Sequence, residues 1–253
     1  MNMKQNDSQA GFTLIELAVV LVIVGILLGS FIGNLSDRIE NTRALETQKG
    51  LAEIKQAMLA YAYVNGALPC PDCSAVGGGC VAALVGDGIS DPVAGGVCTV
   101  GTNLGDVPWA TLGMGRSDAW GTRYRYAVQS EYADTTAPFT IDATAGTGIM
   151  REPDFVADAT GATRQDLAEN IVAFIFSHGK NGLGGISDSG IVRPPVPAAN
   201  IDELENIDND AEYYLRTKTS EEATIAGGEF DDQVIWISEY ELKAKMVAAG
   251  KLP

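Results

Sequence analysis

A run of twenty residues from Phe12 to Phe31 constrains this chain more than any other stretch, because Glu16 is the only ionisable residue in it. As a helix, about twenty residues extend about 30 Å, which is enough to cross the hydrocarbon core of a bilayer. A carboxylate inside such a segment is costly and rare. We therefore expect Glu16 to have a function or a specific partner.

The helical pattern continues beyond Phe31. Apolar residues recur at spacings of three, four or their multiples, with charged residues between them: Ile32, Leu35, Ile39, Leu51, Ile54 and Met58. Asn65-Gly66 then forms a helix-end signal, and Pro69 follows. This predicts one helix from Phe12 to about Val64, on the order of 80 Å long. Such a helix is too long for a bilayer or a small domain, so its second half should pack on a globular head.

The segment Gly11-Phe12-Thr13-Leu14-Ile15-Glu16-Leu17 resembles the processing site of type IV pilins and type II secretion pseudopilins. The resemblance implies that a prepilin peptidase cuts between Gly11 and Phe12 and methylates the new amine. It also implies that Glu16 pairs with the Phe12 amine of a neighbouring subunit when an inner-membrane assembly platform builds a helical filament. A plain signal anchor with a chance glycine is the alternative, and it leaves Glu16 unexplained.

The same resemblance implies an α+β, pilin-like fold, in which the long N-terminal helix packs on a small antiparallel β-sheet with long loop insertions. Residues 1–11 would be the leader, 12–31 the transmembrane and assembly half of the helix, and 32–253 the rest of the helix with the head. Insertions are expected at about 67–117 and 179–232. The precursor would cross the inner membrane once with its head in the periplasm, before it joins a periplasmic or extracellular filament.

Local patterns predict the elements of the head. Strands are expected at 124–128, 139–141, 171–177 and 234–237. A short helix is expected at 211–217, and the segment 67–117 is expected to be a surface connection. Ser238 and Glu241 form a capping box for a terminal helix over 239–249.

Charge limits the possible partners. The chain has 33 acidic and 17 basic residues, a formal net charge of −16. This balance argues against nucleic acid, which is bound through Lys and Arg contacts to phosphates. It is compatible with a soluble surface outside the cytoplasmic membrane or with cation binding.

The four cysteines, Cys70, Cys73, Cys80 and Cys98, lie within 29 residues. In an exported head they should form two disulfides, and three pairings are open. The spacing of Cys70 and Cys73 also suits a zinc knuckle or a redox dithiol.

Enzyme motifs are nearly absent: His178 is the only histidine, and we expect it to be a turn residue near a strand end. The segment Asp118–Tyr126 resembles one that precedes the first strand of major pseudopilins, as a turn leading into a strand. Ser177–Gly182 and Phe230–Gln233 similarly resemble the calcium loop of that family. Calcium requires six to eight oxygen ligands, and Asn181, Asp231 and Asp232 are the candidates.

The sequence thus predicts a non-catalytic structural subunit of a type IV pilus-like or secretion pseudopilus filament. The competing interpretations are a signal-anchored periplasmic enzyme or binding domain, and an adhesin-like head on a pilin stem.

Overall fold

The computed structural model describes residues 13–75, 80–91, 98, 104–134, 136, 138–152, 165–208, 210–219 and 227–252, without the side chains of 28–35. The predictions for the leader 1–11, and for Gly11 and Phe12, lie outside these residues. The chain divides into two compact units, Met1–Arg43 and Ala44–Pro253.

Helix α1 covers Leu14–Asn65, 52 residues. Its predicted end is confirmed: Gly66 has φ +84° and its N–H donates to the Ala62 carbonyl at 2.8 Å. This is the left-handed C-cap for which glycine is preferred. Within the described residues, no helix combines the length and the hydropathy of a bilayer crossing.

The described part of the head holds three shorter α-helices and six strands. The helices are α2 (Trp109–Leu112), α3 (Ile201–Glu205) and α4 (Glu239–Ala248), with a 3₁₀ turn at Ser130–Tyr132. The strands are β1 (Leu104–Asp106), β2 (Arg125–Val128), β3 (Gly148–Glu152), β4 (Gln165–Ser177), β5 (Glu212–Tyr214) and β6 (Gln233–Ser238). The α+β class is confirmed.

The sheet runs in the order β1-β2-β4-β3-β5, with β6 paired to β4. The expectation of a purely antiparallel sheet is wrong, because β5 pairs with β3 in parallel, with Ile149 opposite Glu212. Strand β5 belongs to the segment 179–232, so this segment extends the sheet.

Strand β4 is buried on both faces over its second half, which explains its nearly continuous apolar sequence. Val172 and Ile175 join the main apolar core with Leu51, Ile54 and Met58 of α1. Leu242 and Met246 of α4 complete this side. The helix spacing of three and four residues therefore identified the face that packs on the sheet.

The other face of β4 carries a second apolar cluster. Phe174 and Phe176 lie there with Met150 and Val234. Tyr213 of β5 stacks on Phe174 with 3.9 Å between the ring centroids. The segment 179–232 therefore covers an apolar face of the sheet.

Two local predictions are wrong. Residues 139–141 form no strand, because Phe139 packs on Tyr132 in the core while Ile141 belongs to an exposed turn. The helix expected at 211–217 is replaced by β5, and a helix forms earlier, at α3. In β5 the burial of Tyr213 against Phe174 outweighs local helix propensity.

The segment 67–117 also differs from the expected surface connection. Ala67 and Leu68 are fully buried, and β1 and α2 lie within it. Further along, the Asp118 carboxylate accepts the N–H groups of Trp120 and Thr122, both at 2.9 Å, and the Ser177 hydroxyl at 2.6 Å. This carboxylate fixes the predicted turn into β2 and ties it to the end of β4.

The terminal helix agrees with its prediction. The Ser238 hydroxyl accepts the Glu241 N–H at 3.2 Å at the start of α4.

Candidate functional site

Glu16 belongs to a capping box at the start of α1. Its Oε2 accepts both the N–H and the hydroxyl of Thr13 at 3.0 Å, and its own N–H donates to Thr13 Oγ1 at 3.3 Å. These reciprocal bonds satisfy donors that a helix N-terminus leaves open. The pattern Thr-x-x-Glu in the sequence is the signal that indicates this cap.

The apolar side chains that follow Glu16 are exposed in the single chain. Leu14, Ile15 and Ile26 expose 89%, 72% and 69% of their surface. Exposed apolar surface of this extent marks a membrane or a protein partner.

All four cysteines are paired, as the sequence predicted. Cys70 bonds to Cys98 and Cys73 bonds to Cys80, which selects one of the three pairings. The pairing leaves none of these thiols for a zinc knuckle or a redox dithiol.

Three buried carboxylates converge where the segment 179–232 meets β6. Glu203 lies on α3, while Asp231 and Asp232 directly precede β6. One ligand oxygen from each lies within 4.8 Å of the others. We call Glu203, Asp231 and Asp232 the buried acidic cluster.

Hydrogen bonds fix this cluster but leave one oxygen open. Asp231 Oδ2 accepts the Asn181 N–H at 2.9 Å, and the Asp231 N–H donates to Glu203 Oε1 at 3.1 Å. Asp232 Oδ2 accepts from Asn206 Nδ2 at 2.9 Å. Asp231 is only 6% exposed, and its Oδ1 is buried with no hydrogen-bond partner among the described residues. A buried polar atom without a partner suits a bound ion or water.

Asn181 lies at the cluster in an orientation that the sequence did not reveal. Its side-chain amide donates to Glu203 Oε1 at 3.0 Å, and its Oδ1 accepts the Leu183 N–H at 3.0 Å. The amide oxygen is thus engaged by the turn. Asn181 contributes a donor here, and Glu203 brings the third carboxylate.

The electrostatics of the cluster oppose three simultaneous negative charges. Burial, together with the Glu203 carboxylate and against the Asn181 hydrogen bond, raises the pKa of Asp231 to about 7. Burial likewise raises the pKa of Asp232 well above its usual range, and that of Glu203. Either a proton or a cation can relieve this repulsion.

Glycine at position 179 allows the chain to approach the cluster. Gly179 has φ +58°, and a Cβ there would lie 2.3 Å from Asp231 Oδ1. A larger residue would displace the carboxylate.

A second acidic group, Glu205, Asp208 and Asp210, lies on the surface beside α3. Asp208 and Asp210 accept backbone N–H groups within their own turn, at 3.1 and 2.6 Å. Asp208 and Asp210 therefore stabilise their own turn at the surface.

His178 directly follows β4, as expected, and its carbonyl accepts the Gly182 N–H at 3.1 Å in the turn beyond the strand, while its side chain is buried. Its ring packs edge-on against Phe176. Burial lowers its pKa to about 3, with the Arg125 charge adding to the effect. His178 is therefore a neutral core residue.

Glu203 is the site residue that the sequence analysis missed. It lies in the acidic block Asp202–Asp210, some 30 residues before Asp231 in the chain. Only the fold of the segment brings the two together, so charge density was the one available signal.

Comparison with known proteins supports the interpretation of the N-terminus. Residues 6–32 match the family model of the prokaryotic N-terminal methylation motif. This motif is the signature of type IV pilin and pseudopilin precursors. No curated protein and no solved structure matches the chain.

Proposed function

We propose that this chain is a structural subunit of a type IV pilus-like or type II secretion pseudopilus filament, cleaved between Gly11 and Phe12. The methylation motif at residues 6–32 carries the proposal. The exposed apolar stretch of α1 gives such a subunit a surface for its neighbours. Two disulfides fit a head outside the cytoplasm. No catalytic activity is part of the proposal.

Glu16 would set the axial register between neighbouring subunits during assembly. In a filament its carboxylate would pair with the Phe12 amine of a neighbouring copy, and loss of one partner would leave a buried charge uncompensated. In the single chain the capping bonds from Thr13 hold this carboxylate at the start of the helix.

The first test is intact mass with N-terminal sequencing of the protein from a membrane fraction. We expect the chain to start at N-methylated Phe12. A chain that keeps Met1 in cells with a working prepilin peptidase would contradict processing and favour the anchored-domain alternative.

The second test compares Glu16→Gln with Glu16→Ala. Glutamine keeps a capping acceptor and loses the charge, whereas alanine loses both. If assembly depends on the charge, both variants lose filaments while the head stays folded. Filaments from Glu16→Gln alone would assign the residue to capping only. Filaments from both variants would leave the anchored or adhesin-like head as the better interpretation.

A second function, calcium binding, is favoured by the buried acidic cluster with its open Asp231 oxygen. Glu203, Asp231 and Asp232 would hold the ion, which would supply the positive charge that three buried carboxylates lack. Calcium should raise the melting temperature of the full-length protein, and Asp231→Asn should abolish the rise. Asp208→Asn, an exposed aspartate of the second acidic group, is the matched control. If calcium does not raise the melting temperature of the unaltered protein, the calcium proposal is wrong.

A further inference from the structure

A cleft of about 310 Å³ lies in the head between α1 and β6, and it reaches the buried acidic cluster. Asp231 and Asp232 line the cleft, together with Lys218 and with apolar residues of α1 and β6. In the described part of the chain, Asp231 Oδ1 accepts no hydrogen bond. The cleft therefore joins the carboxylate with the open oxygen to solvent, and Lys218 shares this cleft with it.

The backbone places Lys218 across from Asp231. Thr219 and Phe230 form an antiparallel bridge, in which the Thr219 N–H donates to the Phe230 carbonyl at 2.9 Å and accepts the Phe230 N–H on its own carbonyl at 3.4 Å. The next pair in this register is Lys218 and Asp231, one residue earlier and one residue later. Side chains directly opposite each other in an antiparallel pair lie on the same face and interact. The register thus directs the lysine toward the cluster.

The charge of Lys218 acts on the cluster. Burial is the largest influence on the pKa of Asp231 and raises it, whereas the positive charge of Lys218 lowers it. Arg216 also lines the cleft, but its buried guanidinium pairs with Asp202 at 2.8 Å and donates to the Gly228 carbonyl at 2.7 Å. Lys218 is exposed, and an ammonium on a flexible stem changes position more readily than a guanidinium held on two sides.

We propose that the Lys218 ammonium is the internal counter-charge of the buried acidic cluster and that it competes with calcium there. Without calcium, the ammonium offsets part of the repulsion among the three carboxylates. Calcium brings two positive charges to the same place, so the ammonium has to withdraw into solvent when the ion binds. The inference rests on the calcium binding proposed above, and it makes Lys218 a residue that sets the affinity of the site without being a ligand.

The test is calcium titration by calorimetry on the full-length protein in detergent. Lys218→Gln should lower the Kd for calcium roughly tenfold, because one unit charge beside a divalent ion changes its binding by about this factor even in a solvent-like dielectric. Lys218→Arg keeps the charge and should retain the Kd of the unaltered protein. Lys245→Gln removes the charge of an exposed lysine on α4 and is the matched control, with no change in Kd expected.

Melting curves in a calcium chelator separate this role from a merely structural one. Lys218→Gln should melt about 2 °C lower than the unaltered protein without calcium, yet gain more from calcium. A purely structural lysine would lower the melting temperature and leave the Kd unchanged. If Lys218→Gln has no cooperative transition, Lys218→Met, which keeps the apolar stem, takes its place.

The outcomes distinguish this inference from the calcium proposal. If the unaltered protein binds calcium and Lys218→Gln has the same Kd, or Lys245→Gln gains as much affinity, the inference is wrong and the calcium site remains. Calcium binding by Lys218→Gln alone would support the competition. If neither protein binds calcium, both the site and the competition are refuted.

Discussion

At the scale of single residues, the buried carboxylates differ in the groups that stabilise them. Asp106 is neutralised by Arg123 and Arg125, at 3.1 and 2.9 Å. In the described part of the chain, the Asp72 carboxylate accepts only backbone N–H groups, those of Gly86 and Gly88 at 3.2 and 2.8 Å. Burial, with a smaller contribution from the charges of Asp106, Asp87 and Asp91, therefore raises the pKa of Asp72 to about 7.

Asp72 should make the stability of the head depend on pH. Its pKa in the unfolded chain is near 4, so between about pH 4 and pH 7 the folded state holds a proton that the unfolded chain releases. The free energy of unfolding should therefore fall as pH rises through this window, by up to about 1.4 kcal/mol per pH unit. Urea unfolding at a series of pH values should show a shallower slope for Asp72→Asn. An unchanged slope would contradict the assignment.

Gly50 and Tyr124 should be coupled. Gly50→Ala should cost roughly 1–3 kcal/mol, because the new methyl group collides with the Tyr124 hydroxyl oxygen at 2.4 Å. In a Tyr124→Phe background the same change should be neutral or stabilising, since alanine favours the helix by about 1 kcal/mol. A double-mutant cycle by chemical denaturation measures the coupling, and additive effects would refute it.

At the scale of elements, side chains of α4 hold the loop that precedes β3 in place. Lys243 donates to the carbonyls of Ile141 and Ala143 at 2.9 and 3.1 Å and pairs with Glu239 at 2.7 Å. Glu239 Oε2 in turn accepts the Gly146 N–H at 3.0 Å. One buried ion pair thus fixes the loop that the sequence analysis mistook for a strand.

Lys243→Met should destabilise the head by roughly 3 kcal/mol, because the buried Glu239 carboxylate would lose its only cationic partner among the described residues. Lys245→Met, an exposed lysine on the same helix, is the matched control and should change stability little. If the two substitutions change the free energy of unfolding in urea equally, the buried pair of Lys243 and Glu239 has no specific role in stability.

The two disulfides should contribute unequally. Cys70 and Cys98 are 28 residues apart, whereas Cys73 and Cys80 are 7 apart. Loop-closure entropy then predicts roughly 1 kcal/mol more loss for the paired serine variant of the longer bridge. Thermal melts of the two double-serine variants test this order, which a larger loss from the shorter bridge would reverse.

The sequence predicts those elements that have a long periodic pattern or a recognisable cap. It found α1, α4, β2, β6 and the buried half of β4 from periodicity and caps. It missed β1, α2, β3, α3 and β5, which are five residues or shorter. Such elements depend on packing, as Tyr213 of β5 does on Phe174. Asn181, Asp231 and Asp232 are together as anticipated, but the role of Glu203 required a fold that joins distant segments.

At the scale of the whole molecule, the chain forms two compact units, Met1–Arg43 and Ala44–Pro253. The apolar half of α1 belongs to the first unit and the packed head to the second. Both apolar clusters consist of residues from Leu51 onward. A fragment beginning at Ser36 should therefore fold with a melting temperature close to that of the full-length protein in detergent. Circular dichroism melts compare the two. A fragment that melts without a cooperative transition would show that residues before Ser36 stabilise the head.

The pairing of the cysteines also implies an order for disulfide formation and sheet assembly. Both bridges close between residues 70 and 98, before the first of the described strands begins at Leu104. A chain that enters an oxidising compartment from its amino end would present all four thiols ahead of the six described strands. The sheet would then assemble beside a connection that is already covalently closed, and no cysteine would remain to mispair with a later segment or with another copy.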